Sequence, residues 1–220
     1  MRDTDQQIIK FDYEKNMSTE DFFISESNKH IFDLLESWPH WEKNFLNICG
    51  EKFSGKTHLV NIFLKKFNGI KFEANLLDNE KIKEIKIYQN IVLENLDKNI
   101  NENLFYTLMN IIDQDNKFLI VTSDKLIVDM EFKLNDLSSR AKNFLLQNIE
   151  KPDDQLISAL LIKNLSDRQI SIQKNLIDYI VKRINRSYGK IFEFIYKIDE
   201  MSLKKKKSID LKIVKEVLGE

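Results

Sequence analysis

Two rhythms of apolar residues alternate through the first two thirds of this chain, and one rhythm governs the rest. Ile31, Phe32, Leu34 and Leu35 supply the apolar face of a helix over 26–38, with Ser25 or Ser27 placed to cap it and Pro39 to close it. Phe45–Cys49 is a short buried strand, 50–55 a turn, and Thr57–Phe67 a helix carrying Leu59, Val60, Ile62, Phe63, Leu64 and Phe67. Further strands are predicted at Gly69–Ala74, Asn90–Leu93 and Phe118–Thr122, and a helix at Leu104–Asp113. The strand at 118–122 is almost wholly apolar, which places it centrally in a parallel sheet. After Pro152 the period becomes helical throughout, over Asp153–Leu165, Gln173–Ile184, Ser187–Leu203 and Asp210–Leu218. The pattern therefore predicts a wound α/β domain over 19–151 and an all-α appendage over 152–220, preceded by a mobile tail, 1–18.

Composition narrows the class. Hydrophobic residues make up 42% of the 220 and charged ones 31%, enough for a sizeable core. The net charge of −1, from 34 basic and 35 acidic side chains, argues against general coating of nucleic acid. The run Lys204–Lys207 reads as a solvated loop. The single cysteine, Cys49, lies in an apolar strand and is expected to be a buried core residue; it excludes an internal disulfide and suits a reducing cytosol. His30, His40 and His58 have no metal-ligand spacing. No apolar run approaches the ~20 residues that span a bilayer, and 1–16 is too polar for a secretory leader. A cytoplasmic protein is expected, without membrane contact.

The stretch Gly50-Glu51-Lys52-Phe53-Ser54-Gly55-Lys56-Thr57 has the spacing G-x-x-x-x-G-K-[ST] between that strand and that helix. Glycines there let backbone N–H groups converge on phosphate oxygens, and the helix aims its positive end at the same place. Lys56 is placed to neutralise the terminal phosphates and Thr57 to ligate Mg²⁺. The strand ending Glu94-Asn95-Leu96-Asp97 offers an acidic partner, Glu94, placed to reach the metal through water.

Taken in order, GEKFSGKTHL, IVLENLD, LIVTSD (119–124), LNDLSSRA (134–141) and the four-helix tail ending IDLKIVKEVL resemble the AAA+ module of the DnaA family, and more closely its short paralogues of the Hda type. The resemblance implies an AAA+ P-loop domain followed by a small helical lid. Nucleotide, ADP or ATP with Mg²⁺, would be held by Gly50, Lys52, Phe53, Ser54, Gly55, Lys56, Thr57 and His58, with Asn28 beside the adenine. Asp124 matches the strand-end residue that senses the terminal phosphate, although an aspartate ending a strand also suits a plain turn. Arg140 matches the arginine finger offered to a neighbouring subunit's nucleotide; a surface salt bridge is the alternative. Three departures matter. Glu94 stands where the family has Asp, Asn95 lacks the basicity to deprotonate water, and Gly189 or Lys190 falls where the lid normally places an arginine. Binding is thus expected to be kept and hydrolysis weak.

Residues Gln6-Gln7-Ile8-Ile9-Lys10-Phe11 resemble the peptide that bacterial proteins insert into the sliding clamp, with Gln6 or Gln7 in the polar subsite and Ile9 and Phe11 in the apolar one. The resemblance implies a regulator that docks on the DNA polymerase III clamp and promotes hydrolysis of ATP on DnaA, possible self-association included. A chain ending at Glu220 is expected to lack the initiator's own DNA-reading domain, hence no sequence-specific DNA binding. A P-loop kinase of small molecules and a nucleotide-stabilised adaptor are the rival readings.

Overall fold

The computed structural model describes residues 22–205 and 209–220. Five strands, β1 (Phe45–Cys49), β2 (Ile70–Glu73), β3 (Asn90–Leu96), β4 (Phe118–Ser123) and β5 (Leu145–Asn148), form one sheet in the order β2-β3-β4-β1-β5. Every pairing is parallel. The apolar strand at 118–123 is indeed the central one.

Strand alternation sorts the core into two faces. Ile91, Leu93, Leu119 and Val121 pack with α4 (Glu102–Gln114) and α5 (Asn135–Ala141), through Phe105, Leu108 and Leu137. Leu46, Ile48, Val92 and Ile120 face the other way, against α1 (Lys29–Glu36) and α2 (Lys56–Phe67), through Ile31, Leu59, Val60 and Phe63. A short α3 (Asn79–Glu84) follows β2. Gly69, with φ +158, lets the chain turn tightly into β2; a Cβ there would lie 2.4 Å from the Asn90 carbonyl oxygen.

The C-terminal part is helical: α6 (Asp154–Asp167), α7 (Lys174–Val181), α8 (Tyr188–Lys205) and α9 (Leu211–Leu218). It encloses its own core around Leu161, Ile180, Ile191, Ile195 and Val214. Asp153 and Asp210 cap α6 and α9 through the amides of Leu156 and Ile213, each at 2.8 Å. No helix among the described residues is long and apolar enough to cross a membrane.

Several elements, the short α3 among them, differ from the sequence-based expectation. The first helix begins only at Lys29; the Ser25 and Ser27 hydroxyls bond each other at 2.7 Å instead of capping it. Strand β5 and helix α5 were not legible from periodicity. β5 is four residues of alternating half-buried and exposed positions, held by pairing with β1 (Leu46 opposite Leu145).

Candidate functional site

The β1–α2 connection bends around two glycines. A Cβ on Gly50 would lie 2.8 Å from Ser54 Oγ and 3.1 Å from Ile149 Cβ. Gly55, at φ +97, turns the chain into α2 in the left-handed region that other residues avoid. Phe53 also sits there, at φ +71, without a glycine's freedom; its ring lies 5.0 Å from that of Phe192 on α8, and Lys52 Nζ is 5.3 Å from its centroid. Lys56 is buried. Its ammonium donates to the Gly50 carbonyl, to the Glu51 carbonyl at 3.1 Å and to Asp124 Oδ1 at 3.0 Å. Because Cys49 pairs with Ser123, the ends of β1 and β4 bring this lysine and aspartate together although 68 residues separate them. Cys49 is buried, and burial pushes its thiol above the ordinary value, as a core cysteine requires.

Loop and helical bundle enclose a cleft of about 2040 Å³. Lys52 to His58, Asn28, Asn95 and Asp124 line it from the sheet side, and Leu156, Leu160, Tyr188 and Phe192 from the bundle. Asn28 is buried and shapes the preceding turn: its Oδ1 accepts from the Ser25 amide at 2.9 Å and its Nδ2 donates to the Phe23 carbonyl at 3.0 Å. The His58 ring meets Phe22 edge-on at 5.1 Å. Tyr188 donates to the Glu150 carbonyl at 3.1 Å, and burial pushes its phenol up to about 12.

Asn95 apart, the other sequence-predicted residues lie elsewhere. Glu94 does not line the cleft. It is 3% exposed, and its Oε2 holds Lys71 Nζ at 2.9 Å. It follows Val92 on the α2 face of β3, and the carboxylate is covered there. Mg²⁺ therefore fits the donor set only at Thr57, which lines the cleft, and not at Glu94, whose charge is already matched by an ammonium. Asn95 is exposed at φ +57, where β3 shifts register; its amide donates to Glu73 at 2.8 Å and its backbone N–H to Thr122 Oγ1 at 3.0 Å. Lys190 also stands outside the cleft, with its ammonium 2.8 Å from Glu193 one turn along α8. The hydrogen bond from Lys190, then that from Lys197, pull the Glu193 carboxyl down to about 2. Gly189, the other residue considered for that place, contributes its amide to Glu51. Arg140 ends α5 on the opposite face of the sheet, paired with Asp113 at 2.7 Å and lying 5.0 Å from the Tyr106 ring centroid. Gln6, Gln7, Ile9 and Phe11 lie outside the described residues.

Sequence reasoning missed Glu51, a loop position that the motif leaves open. Its carboxylate reaches the start of α8, accepting from the Ser187 hydroxyl, from the Gly189 amide at 2.9 Å and from the Tyr188 amide at 3.1 Å. Burial opposes the charge, but these three hydrogen bonds outweigh it and hold the carboxyl below its ordinary value. Tyr188 and Phe192 were missed as cleft residues too; their four-residue spacing, which puts both on one helix face, was the available signal.

A loop of this form at the end of a parallel strand, a strand-end aspartate beside it and a helical bundle over the cleft define an AAA+ protein. Residues 153–218 match the family "Hda, lid domain". The replication initiator DnaA of Borreliella burgdorferi is 22% identical over 94% of this chain and 48% of that protein; the chain spans half or less of the length of the DnaA proteins it matches. Domain III of Thermotoga maritima DnaA superposes with a TM-score of 0.72 at 17% identity, covering 92% of this chain and 95% of that one. AMPPCP-bound DnaA from Aquifex aeolicus superposes at 0.66 and 19% identity, covering 85% and 68%. Its lid segment thus matches the Hda family, and the chain as a whole has the AAA+ fold and is similar to DnaA.

Proposed function

We propose that this chain is an adenine-nucleotide-binding regulator of replication initiation that acts on DnaA. The observation that carries the nucleotide part is the meeting of buried Lys56 with exposed Asp124 at the cleft. An ammonium parked on loop carbonyls and one solvent-facing carboxylate is poised to exchange that carboxylate for a phosphate. The β- and γ-phosphates would take Lys56 and the amides of 53–57, and the base would lie towards Asn28 with Tyr188 and Leu156. A relative of this fold holding AMPPCP supports the same reading.

Weak turnover follows from the strand end. Asn95 is no base, its amide is engaged by Glu73, and Glu94 is engaged by Lys71. The hydrolysis that matters would then be a partner's. Arg140 lies away from the chain's own cleft, and Asp113, half exposed, holds it loosely enough to release it to a neighbour's triphosphate. The segment 6–11 would dock on the sliding clamp and present Arg140 to DnaA-ATP.

Lys56→Ala is expected to weaken ADP binding by about 100-fold in calorimetry, which removes about 2.7 kcal/mol. Arg140→Ala should leave ADP affinity unchanged and abolish stimulation of ATP hydrolysis by purified DnaA; stimulation that survives refutes the trans role. Clamp capture by the wild type that is lost in Gln6→Ala/Gln7→Ala would support the docking segment, and a wild type that ignores the clamp would remove it.

A further inference from the structure

The acidic residue at the end of β3 already has a cation, and the chain supplies it. Lys71 and Val92 are opposite each other in the β2–β3 ladder, so Lys71 reaches diagonally to Glu94, the next residue on the same face of β3. The ammonium is 2.9 Å from Glu94 Oε2 and 2.7 Å from Asn61 Oδ1. Asn61 is one helical turn beyond Thr57 on α2. Lys71 Nζ thus bridges the end of β3 and helix α2 one turn from Thr57, while Glu94, bound to it, is absent from the lining of the cleft that Thr57 lines.

The pair is lopsided in burial. The Glu94 side chain is 4% exposed and that of Lys71 31%. The other carboxylate oxygen, Oε1, is sealed from solvent and has no hydrogen-bond partner. The buried charge of Glu94 therefore rests on this one ammonium. A desolvated carboxylate does not readily give up such a partner, because it would be left uncompensated. A divalent ion arriving with nucleotide would gain Glu94 as a partner only by drawing it from a cation that is tethered in place and present at every concentration of free metal.

We infer that Lys71 is a positioning residue that replaces the divalent cation at the acidic end of β3, so that nucleotide binding by this chain is nearly indifferent to Mg²⁺. The inference rests on the nucleotide-binding reading and deepens it. Its chemical consequence is a site that keeps a nucleoside diphosphate when metal is scarce. The strand-end glutamate has no metal to orient, and binding is separated from the metal-assisted step of hydrolysis.

The test is calorimetric titration of the full chain with ADP, in excess Mg²⁺ and in EDTA. For the wild type, affinity in EDTA should stay within about fivefold of that in Mg²⁺; a larger loss overturns the inference. Lys71→Met unmasks Glu94 and should become metal-dependent, losing about fivefold or more in EDTA. If it remains as indifferent as the wild type, the assignment of charge to Lys71 is overturned. Lys71→Met/Glu94→Gln removes both charges and should return to indifference. Continued dependence on Mg²⁺ in that double variant would overturn the role of Glu94. A merely structural lysine would lower affinity equally in both conditions, which also counts against the inference. If Lys71→Met does not fold, the wild type and the double variant still decide. Absence of ADP binding in both conditions is a different failure, because it removes the nucleotide reading and the inference with it.

Discussion

Two lysines meet strand-end carboxylates in this molecule, with burial reversed between them. At the end of β4 the lysine is buried and the acid open: the Lys56 and Asp124 side chains are 8% and 76% exposed. At the end of β3 the acid is buried and the lysine is the more open partner. The difference decides which group is free to change partners. Asp124 has water to fall back on, so its pairing with Lys56 is worth little and exchanges easily. Glu94 has no such alternative, and its pair is costly to break from one side. Glu51 is a third arrangement. It is a carboxylate hydrogen-bonded by a hydroxyl and two backbone amides where α8 begins, with the charge of Lys151 as a lesser attraction.

This ordering can be broken by substitution. Lys71→Ala should cost the most, about 3 kcal/mol in urea unfolding, because Glu94 is left buried without its cation. Recovery of most of that loss in Lys71→Ala/Glu94→Leu would locate the cost in the abandoned charge. Glu51→Ala should cost about 1 kcal/mol, the usual worth of a side chain bonding a helix's first amides. Its loss should also loosen α8 against the loop, read as faster hydrogen exchange at Tyr188 and Gly189. Glu51 adds a pH signature. Its folded carboxyl titrates below the unfolded one, so its contribution is complete above the unfolded value near pH 4.3. That contribution is lost as pH falls through the folded value. Glu51→Ala should therefore converge on the wild type in acid. Asp124→Asn should cost least, about 0.5 kcal/mol or less, and a stability loss matching that of Lys71→Ala would collapse the distinction between the two pairs.

The lid differs from the sheet in what it brings to the cleft. The strand ends bring charge, through Lys56 and Asp124. The bundle brings aromatic and aliphatic surface, through Tyr188, Phe192 and Leu160, together with charged residues of its own such as Lys163 and Arg168. Lys190, in the first turn of α8, is turned to Glu193, and the tie between the two halves runs from the loop 50–55 outwards. Glu51 grips the helix end and Phe53 lies against Phe192, kept at a positive φ that its side chain disfavours. Lid position and loop conformation are thereby linked without an arginine.

Much of this was legible in the chain itself. The loop 50–57, the central strand at 118–122 and the four helices after Pro152 follow from local chemistry: glycine spacing, an unbroken apolar run, 3.6-residue periodicity. Those signals act over a few residues, and one sequence carries them in full. The fate of Glu94 and of Glu51 was not legible, because each depends on which charge or amide another segment delivers across space. Lys71 is 23 positions from Glu94, and Glu51 is more than 130 from the helix it holds. Local pattern determined where charged groups sit along the backbone; only the folded arrangement, by removing water from one carboxylate and leaving it at another, decided which of them is committed and which is free to bind.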